Sequence, residues 1–241
     1  MQLIRNQQVS GSNPLIGSIN REKPFPNRKG FFRSAPVTAI RPNNRHRDGP
    51  RHPITPRRNM DSTPPLLANY LALRDRIDEL CRSIQREFAP HIACSAGCDR
   101  CCRHLSLFPV EAFTLAAAAR RLPPDRVEAL LRQAAGAPPD APCPLLKDGL
   151  CLQYDDRPII CRTHGLPLVF TEDGTQRVDC CPDNFQGVES LPGSAVIGLD
   201  RLNATLTAVN AVFVDALERK GVHLPTRMTI AEALSTNINL D

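Results

Sequence analysis

The chain has 241 residues, of which 41% are hydrophobic and 23% charged, enough for one domain with an appendage. Aromatic residues make up only 5% and tryptophan is absent, which argues against a nucleic-acid binder that works by base stacking. The net charge of +5 comes wholly from residues 1–59, and no apolar run approaches the roughly 20 residues that a membrane span needs.

Residues 1–59 differ in composition from the rest of the chain. They hold 12 Lys and Arg against 2 Asp and Glu, and they are rich in proline and asparagine. Such a segment buries too little apolar area to offset its ordering entropy, so a disordered basic extension is predicted. It could be a basic arm for an acidic surface, a transit peptide, or a segment outside the mature protein, with translation starting at Met60. The abrupt change at Met60 favours the last interpretation and predicts one working domain over residues 60–241.

Periodic apolar residues predict a mainly helical domain. The predicted helices are 65–88, 109–121, 124–135, 198–220 and a short last helix opened by the capping box Thr229–Glu232. Strand-like pieces at 168–170 and 177–179 flank a predicted turn at 172–174. The predicted fold is therefore mainly α, a small α+β class with irregular cysteine-rich loops, its helices packed around a metal-stapled centre.

Ten cysteines, all between residues 81 and 181, are the unusual feature of the composition. Cys81 stands alone on the first predicted helix and is expected to be a buried small hydrophobe. Nothing marks the chain as secreted, so reduced thiols are expected, and adjacent cysteines cannot easily bridge each other. Four cysteines over residues 94–102, with gaps of two and three residues, match the spacing of metal ligands.

The identity and number of the metals stay open at this stage. Zinc sites and iron–sulfur clusters both take four cysteines, and eight candidates fill two tetrahedral sites or hold one multinuclear centre. Nearby side chains are candidate supporting groups: Arg100, Arg103, Arg157 and Arg162 as donors to sulfur, His91, His104 and His164 as substitute ligands or proton shuttles, and Asp155 with Asp156 as acid–base groups. For the arginines and aspartates, ordinary surface charge is the alternative.

Two motifs in order resemble a known family. The run Cys94-Ser95-Ala96-Gly97-Cys98-Asp99-Arg100-Cys101-Cys102 is similar to the signature of the YkgJ-type cysteine-cluster family, named for the pattern CxxCxxCC, although its first gap here is three residues. A second motif follows, with Cys143-Pro144, then Gly149-Leu150-Cys151, then Arg157-Pro158-Ile159-Ile160-Cys161-Arg162. The resemblance covers about residues 94–181.

The resemblance implies chelation of zinc or iron by eight cysteines, with no settled reaction. The implied ligands are Cys94, Cys98, Cys101, Cys102, Cys143, Cys151, Cys161 and, in preference to Cys180, Cys181. The predicted function is a cytoplasmic module in which one or two zinc ions, or iron, are chelated in a structural or chelating role. The alternatives are an iron or iron–sulfur redox enzyme, another metal-dependent enzyme, and a thiol redox sensor. The expected partners are metal ions, with neither a membrane nor nucleic acid, and no catalytic residue is assigned.

Overall fold

The computed structural model of the chain describes residues 65–138 and 141–236. The predicted basic extension over residues 1–59 and the predicted start at Met60 lie outside the described residues. About half of the described residues are helical and their strands form small sheets, which confirms the α+β class. Within these residues no helix has both the length and the apolar character of a membrane span.

Six α-helices and seven short strands follow one another through the described residues. The helices are α1 Ala68–Glu87, α2 Pro109–Ala119, α3 Pro124–Ala135, α4 Ile159–Thr163, α5 Leu199–Glu218 and α6 Ile230–Ser235. The strands are β1 Ser106–Leu107, β2 Leu146–Lys147, β3 Leu150–Cys151, β4 Leu168–Glu172, β5 Thr175–Asp179, β6 Ile197–Gly198 and β7 Met228–Thr229. All five predicted helices are confirmed, with ends displaced by a few residues.

Helix α1 packs one face on the core and ends at the first cysteine loop. Tyr70, Ile77, Cys81 and Ile84 recur along this face and are buried, which confirms the expectation for Cys81. The helix stops before Pro90, because a proline disfavours helical geometry in the residue preceding it. A 3₁₀ turn at Ala89–His91 follows, so α1 delivers the chain directly to the cysteines.

Helix α2 is the most deeply buried helix of the described chain. Its sequence is apolar on nearly every side, and ten of its eleven residues are buried. The helix packs against α5 and α6, and Phe113 meets Phe213 of α5 edge-on with ring centroids 5.1 Å apart. This packing makes α2 a fixed support beneath the cysteine loops.

The strands form three small sheets within the described residues. Strands β4 and β5 pair antiparallel, with Leu168 opposite Asp179, and β6 lies parallel to β4. The turn between β4 and β5 places Asp173 and Gly174 at positive φ, as a tight hairpin turn requires, so the predicted strands and turn are confirmed. The pairs β1–β7 and β2–β3 are only two residues long, too short for an alternating pattern to show in the sequence.

Candidate functional site

All ten cysteines lie within the described residues, and none of them forms a disulfide bond there. Cys94, Cys98 and Cys101 are exposed, whereas Cys81 and Cys143 are buried. The others are half-buried, namely Cys102, Cys151, Cys161, Cys180 and Cys181. The arrangement therefore presents thiols, as the prediction of metal binding requires.

The two predicted cysteine motifs are joined along their backbones. The Cys143 N–H donates to the Cys102 carbonyl over 3.1 Å, and the His104 N–H donates to the Ala141 carbonyl over the same distance. Between these bonds, Arg103 pairs with Pro142 as an antiparallel bridge. The 102–104 segment thus lies alongside the 141–143 segment, and Cys102 is placed beside Cys143.

A third segment, 181–185, packs against the start of the first motif. The Phe185 N–H donates to the His91 carbonyl over 2.6 Å, and the two rings stack with centroids 6.0 Å apart. This contact brings Cys181 close to Cys94, because a Cβ built on Gly165 would lie 3.0 Å from the Cys94 sulfur and 3.7 Å from the Cys181 Cβ. The segment therefore completes the cysteine region from a point 87 residues further along the chain.

Cys180 and Cys181 both lie beside Gly165. The Cys180 thiol and the Cys181 N–H each donate to the Gly165 carbonyl over 3.3 Å. The Cys181 thiol also raises the pKa of Cys94. The choice of Cys181 over Cys180 as the eighth candidate ligand stays a prediction.

Three cysteines lie near Cys94, and we call Cys94, Cys98, Cys101 and Cys181 the outer group. Desolvation of its sulfur raises the pKa of Cys94, a hydrogen bond from Asn184 lowers it, and the thiols of Cys181, Cys98 and Cys101 raise it again. None of the four belongs to the hydrophobic core of the described residues. Three of its four residues are exposed and Cys181 is half-buried, so the outer group lies nearer to solvent than the remaining candidate ligands.

The other four candidate ligands pack on the hydrophobic core, and we call Cys102, Cys143, Cys151 and Cys161 the inner group. Burial raises the pKa of Cys143 to about 12 and raises the pKa of Cys161 well above its ordinary value. The pairing of β2 with β3 places Cys151 opposite Leu146. Leu146 is three residues after Cys143, so the pairing brings the backbones that carry these two cysteines close together. Such thiols keep their protons until a cation offsets the negative charge of their thiolates.

The adjacent residues Cys101 and Cys102 belong to different groups. Cys101 is exposed, whereas Cys102 packs on the core. A hydrogen bond to Cys102 raises the pKa of Cys101, with desolvation adding to the shift. The two groups are thus in contact through one pair of neighbouring residues.

Helix α4 positions Cys161, and a buried carboxylate that the sequence did not reveal holds this helix. Glu111, 1% exposed, accepts the Ile159 N–H over 3.0 Å and the Phe108 N–H over 3.3 Å. One side chain therefore caps the first residue of α4 and the start of its own helix α2. A glutamate at the third position of a helix that begins with proline predicts the cap on α2. Only the fold shows that the same glutamate also caps α4.

Arg162 anchors α4 to α1, whereas two other candidate arginines lie at the edge of the site. Its guanidinium donates to both carboxylate oxygens of Asp78 over 2.5 and 2.6 Å and to the Arg157 carbonyl over 2.6 Å. Arg157 stacks 3.5 Å above the Tyr154 ring. Arg100 pairs with Asp183 at 2.8 Å and so joins the first motif to the 181–185 segment.

The candidate histidines lie around the cysteine groups. Ala231 N–H donates to His104 Nε2 over 3.2 Å, which leaves His104 Nδ1 to donate to the Pro138 carbonyl over 3.1 Å. Burial lowers the pKa of His164, and the carboxylate of Asp179 opposes this shift. His104 therefore joins two loops of the fold through both of its ring nitrogens.

The predicted acidic pair, Asp155 and Asp156, lies among arginine side chains. Asp156 is buried between Arg74 and Arg121, with nitrogen–oxygen distances of 3.8 and 3.7 Å. The backbone carbonyl of Asp155 accepts a hydrogen bond from Arg162. The ion pairs of Asp156 favour charge pairing over acid–base chemistry for that carboxylate.

The side chains are not gathered into a preformed metal site. Within residues 65–138 and 141–236, no set of three or more His, Cys, Asp or Glu side chains is arranged to hold a metal ion. The fold brings together the segments that carry the thiols, and final coordination would require the thiol side chains to move. No family model, curated protein or solved structure matches the chain, so the resemblance to the YkgJ-type family stays a prediction.

Proposed function

We propose that this chain is a metal-binding cysteine-cluster protein whose outer and inner groups each chelate one zinc ion, with iron as the alternative metal. The observation that carries the proposal is the division of eight cysteines into two sets of four. One set packs on the core and the other lies outside it. Four thiolates complete a tetrahedral zinc site, and the spacing of the first motif supports the same conclusion.

The thiols would gather when the metal binds. The unfolded chain rarely holds a preformed metal site, so the free energy of metal binding appears as free energy of folding. Burial raises the pKa of Cys143, so binding at the inner group would also release protons. The proposal therefore predicts that zinc uptake tightens the fold and acidifies an unbuffered solution.

The two groups would play different roles. A metal held by the inner group lies against the core, so its loss requires local opening of packed structure. Three of the four outer residues are exposed, so a chelator would reach a metal there before one at the inner group. The inner metal would thus be structural, and the outer metal exchangeable.

The test is elemental analysis of the full chain purified without oxygen, together with its visible spectrum. Two zinc ions per chain and no visible band are expected, whereas iron with a visible band would favour the redox alternative. A chelator should remove one zinc rapidly with the circular dichroism unchanged, and the second slowly with loss of helix. Absence of stoichiometric zinc and iron would refute the proposal.

The paired variants Cys98→Ser and Cys143→Ser assign the two phases to the two groups. Cys98→Ser should remove the rapidly lost zinc and leave the helical signal intact. Cys143→Ser should remove the slowly lost zinc and destabilise the fold. Identical chelation kinetics in both variants would contradict the separate roles.

A further inference from the structure

We propose that Asn184 is a positioning residue of the outer group, whose side-chain amide donates an N–H to the Cys94 sulfur and so sets the affinity of that group for its metal. This inference rests on the proposed function. Asn184 lies outside both cysteine motifs, and no spacing in the sequence singles it out.

The hydrogen bonds of the Asn184 amide determine its orientation. Its Oδ1 accepts the Ala93 N–H over 2.8 Å, and its Nδ2 donates to the Gly165 carbonyl over 2.6 Å. Since a backbone N–H only donates and a carbonyl only accepts, the amide cannot be reversed. The second hydrogen of Nδ2 is then available to the Cys94 sulfur, 3.3 Å away.

Asn184 also links the two outer cysteines that are furthest apart in the sequence. Its side chain holds the backbone beside Cys94, and its own N–H donates to the Cys181 carbonyl over 2.9 Å. The residue is only 4% exposed, so these hydrogen bonds are shielded from competing water. One residue thus fixes both Cys94 and Cys181 on the same side of the outer group.

Gly165 provides the space that this arrangement needs. A Cβ at this position would approach the Cys94 sulfur to 3.0 Å and Asn184 Nδ2 to 3.4 Å. The backbone there also has a φ of +87°, which glycine adopts without strain. The sulfur, the amide and the Gly165 carbonyl therefore form one close-packed unit.

An N–H donor to a ligand atom orients that ligand, and a hydrogen bond to a charged acceptor is among the strong ones. Loss of such an outer hydrogen bond typically weakens metal binding about 10–100-fold. Asn184→Ala would remove all four side-chain hydrogen bonds, including the 3.6 Å contact of the Cys94 thiol with Oδ1. Asn184→Asp would keep an acceptor for Ala93 but would place an anionic oxygen against the Gly165 carbonyl and the Cys94 sulfur.

The experiment measures zinc affinity at both groups of the full chain by competition with a chromophoric chelator. Asn184→Ala should weaken the exchangeable zinc about 10–100-fold and leave the other zinc unchanged, and Asn184→Asp should weaken it further. Cobalt substitution provides a second readout, since the sulfur-to-cobalt absorption band of the outer group should shift. The matched control is Asn210→Ala, whose amide accepts the Val110 N–H over 3.2 Å between α5 and α2.

Each outcome leads to a different conclusion. If wild type binds two zinc ions and neither Asn184 variant changes the exchangeable one, the inference fails and the proposed function stands. Equal weakening at both groups, matching Asn210→Ala, would show a merely structural role and would also overturn the inference. If Asn184→Ala does not fold, Asn184→Asp decides, because it keeps the Ala93 contact. A wild type that binds no metal refutes the proposed function and the inference with it.

Discussion

Replacing Glu111 with alanine should destabilise the protein far more than any surface substitution. The change leaves the N–H groups of Phe108 and Ile159 without their acceptor, and both residues are buried, at 6% and 0% exposure. A buried donor that loses its partner costs about 1–3 kcal/mol, so two of them predict a loss of about 2–6 kcal/mol. This is a large fraction of the roughly 5–15 kcal/mol that stabilises a typical domain.

The assay is urea unfolding of the full chain in the presence of zinc, followed by circular dichroism. Glu128→Ala provides the control, since that glutamate lies on the exposed face of α3 and makes only a 3.9 Å ion pair with Arg132. The control should change the free energy of unfolding by less than about 1 kcal/mol. A Glu111→Ala protein as stable as the Glu128→Ala protein would refute the double-cap argument.

Two further predictions concern Glu111 and Gly165. Burial raises the pKa of Glu111 above 4.5, while the N–H groups of Ile159 and Phe108 oppose the shift. The folded chain then binds this proton more readily than the unfolded chain, so stability should fall as the pH rises from about 4.5 through the raised pKa. Glu111→Gln should flatten that fall in urea midpoints measured over a pH series, and an unchanged slope would count against the assignment. Gly165→Ala should cost about 1–2 kcal/mol through its positive φ and should also weaken zinc binding at the outer group. Gly174→Ala, with a φ of +73° and no atom within 4 Å of the added Cβ, should cost similar stability without affecting zinc, and equal zinc affinity in the two variants would disprove the steric argument.

The helices could be predicted because each has a signal within its own length. The apolar period of α1, the apolar composition of α2 and the capping box at Thr229–Glu232 all depend on neighbouring residues. Helix α4 was missed because five residues are too few to show a helical period. Strands β2 and β3, which position Cys151, were not predicted either, because two residues are too few to show an alternating pattern.

The composition of the candidate site could be predicted from the sequence, but its partition could not. Gaps between cysteines identify candidate ligands, yet they do not show that Cys102 packs with Cys143 on the core while Cys101 faces solvent. That partition depends on the backbone pairing of the 102–104 and 141–143 segments, 39 residues apart. Asn184 and Glu111 were missed for the same reason, because their hydrogen-bond partners are distant in sequence.

The single peptide bond between Cys101 and Cys102 has a thermodynamic consequence. One of these residues belongs to the solvent-facing group and the other to the core-packed group, so a ligand of one proposed metal would be adjacent in sequence to a ligand of the other. If both groups bind metal as proposed and occupancy of one changes the affinity of the other, the factor must be the same in both directions. A protein that removes metal from the outer group would then also change the metal affinity of the inner group. Metal transfer at the surface and the stability of the core would then be thermodynamically coupled.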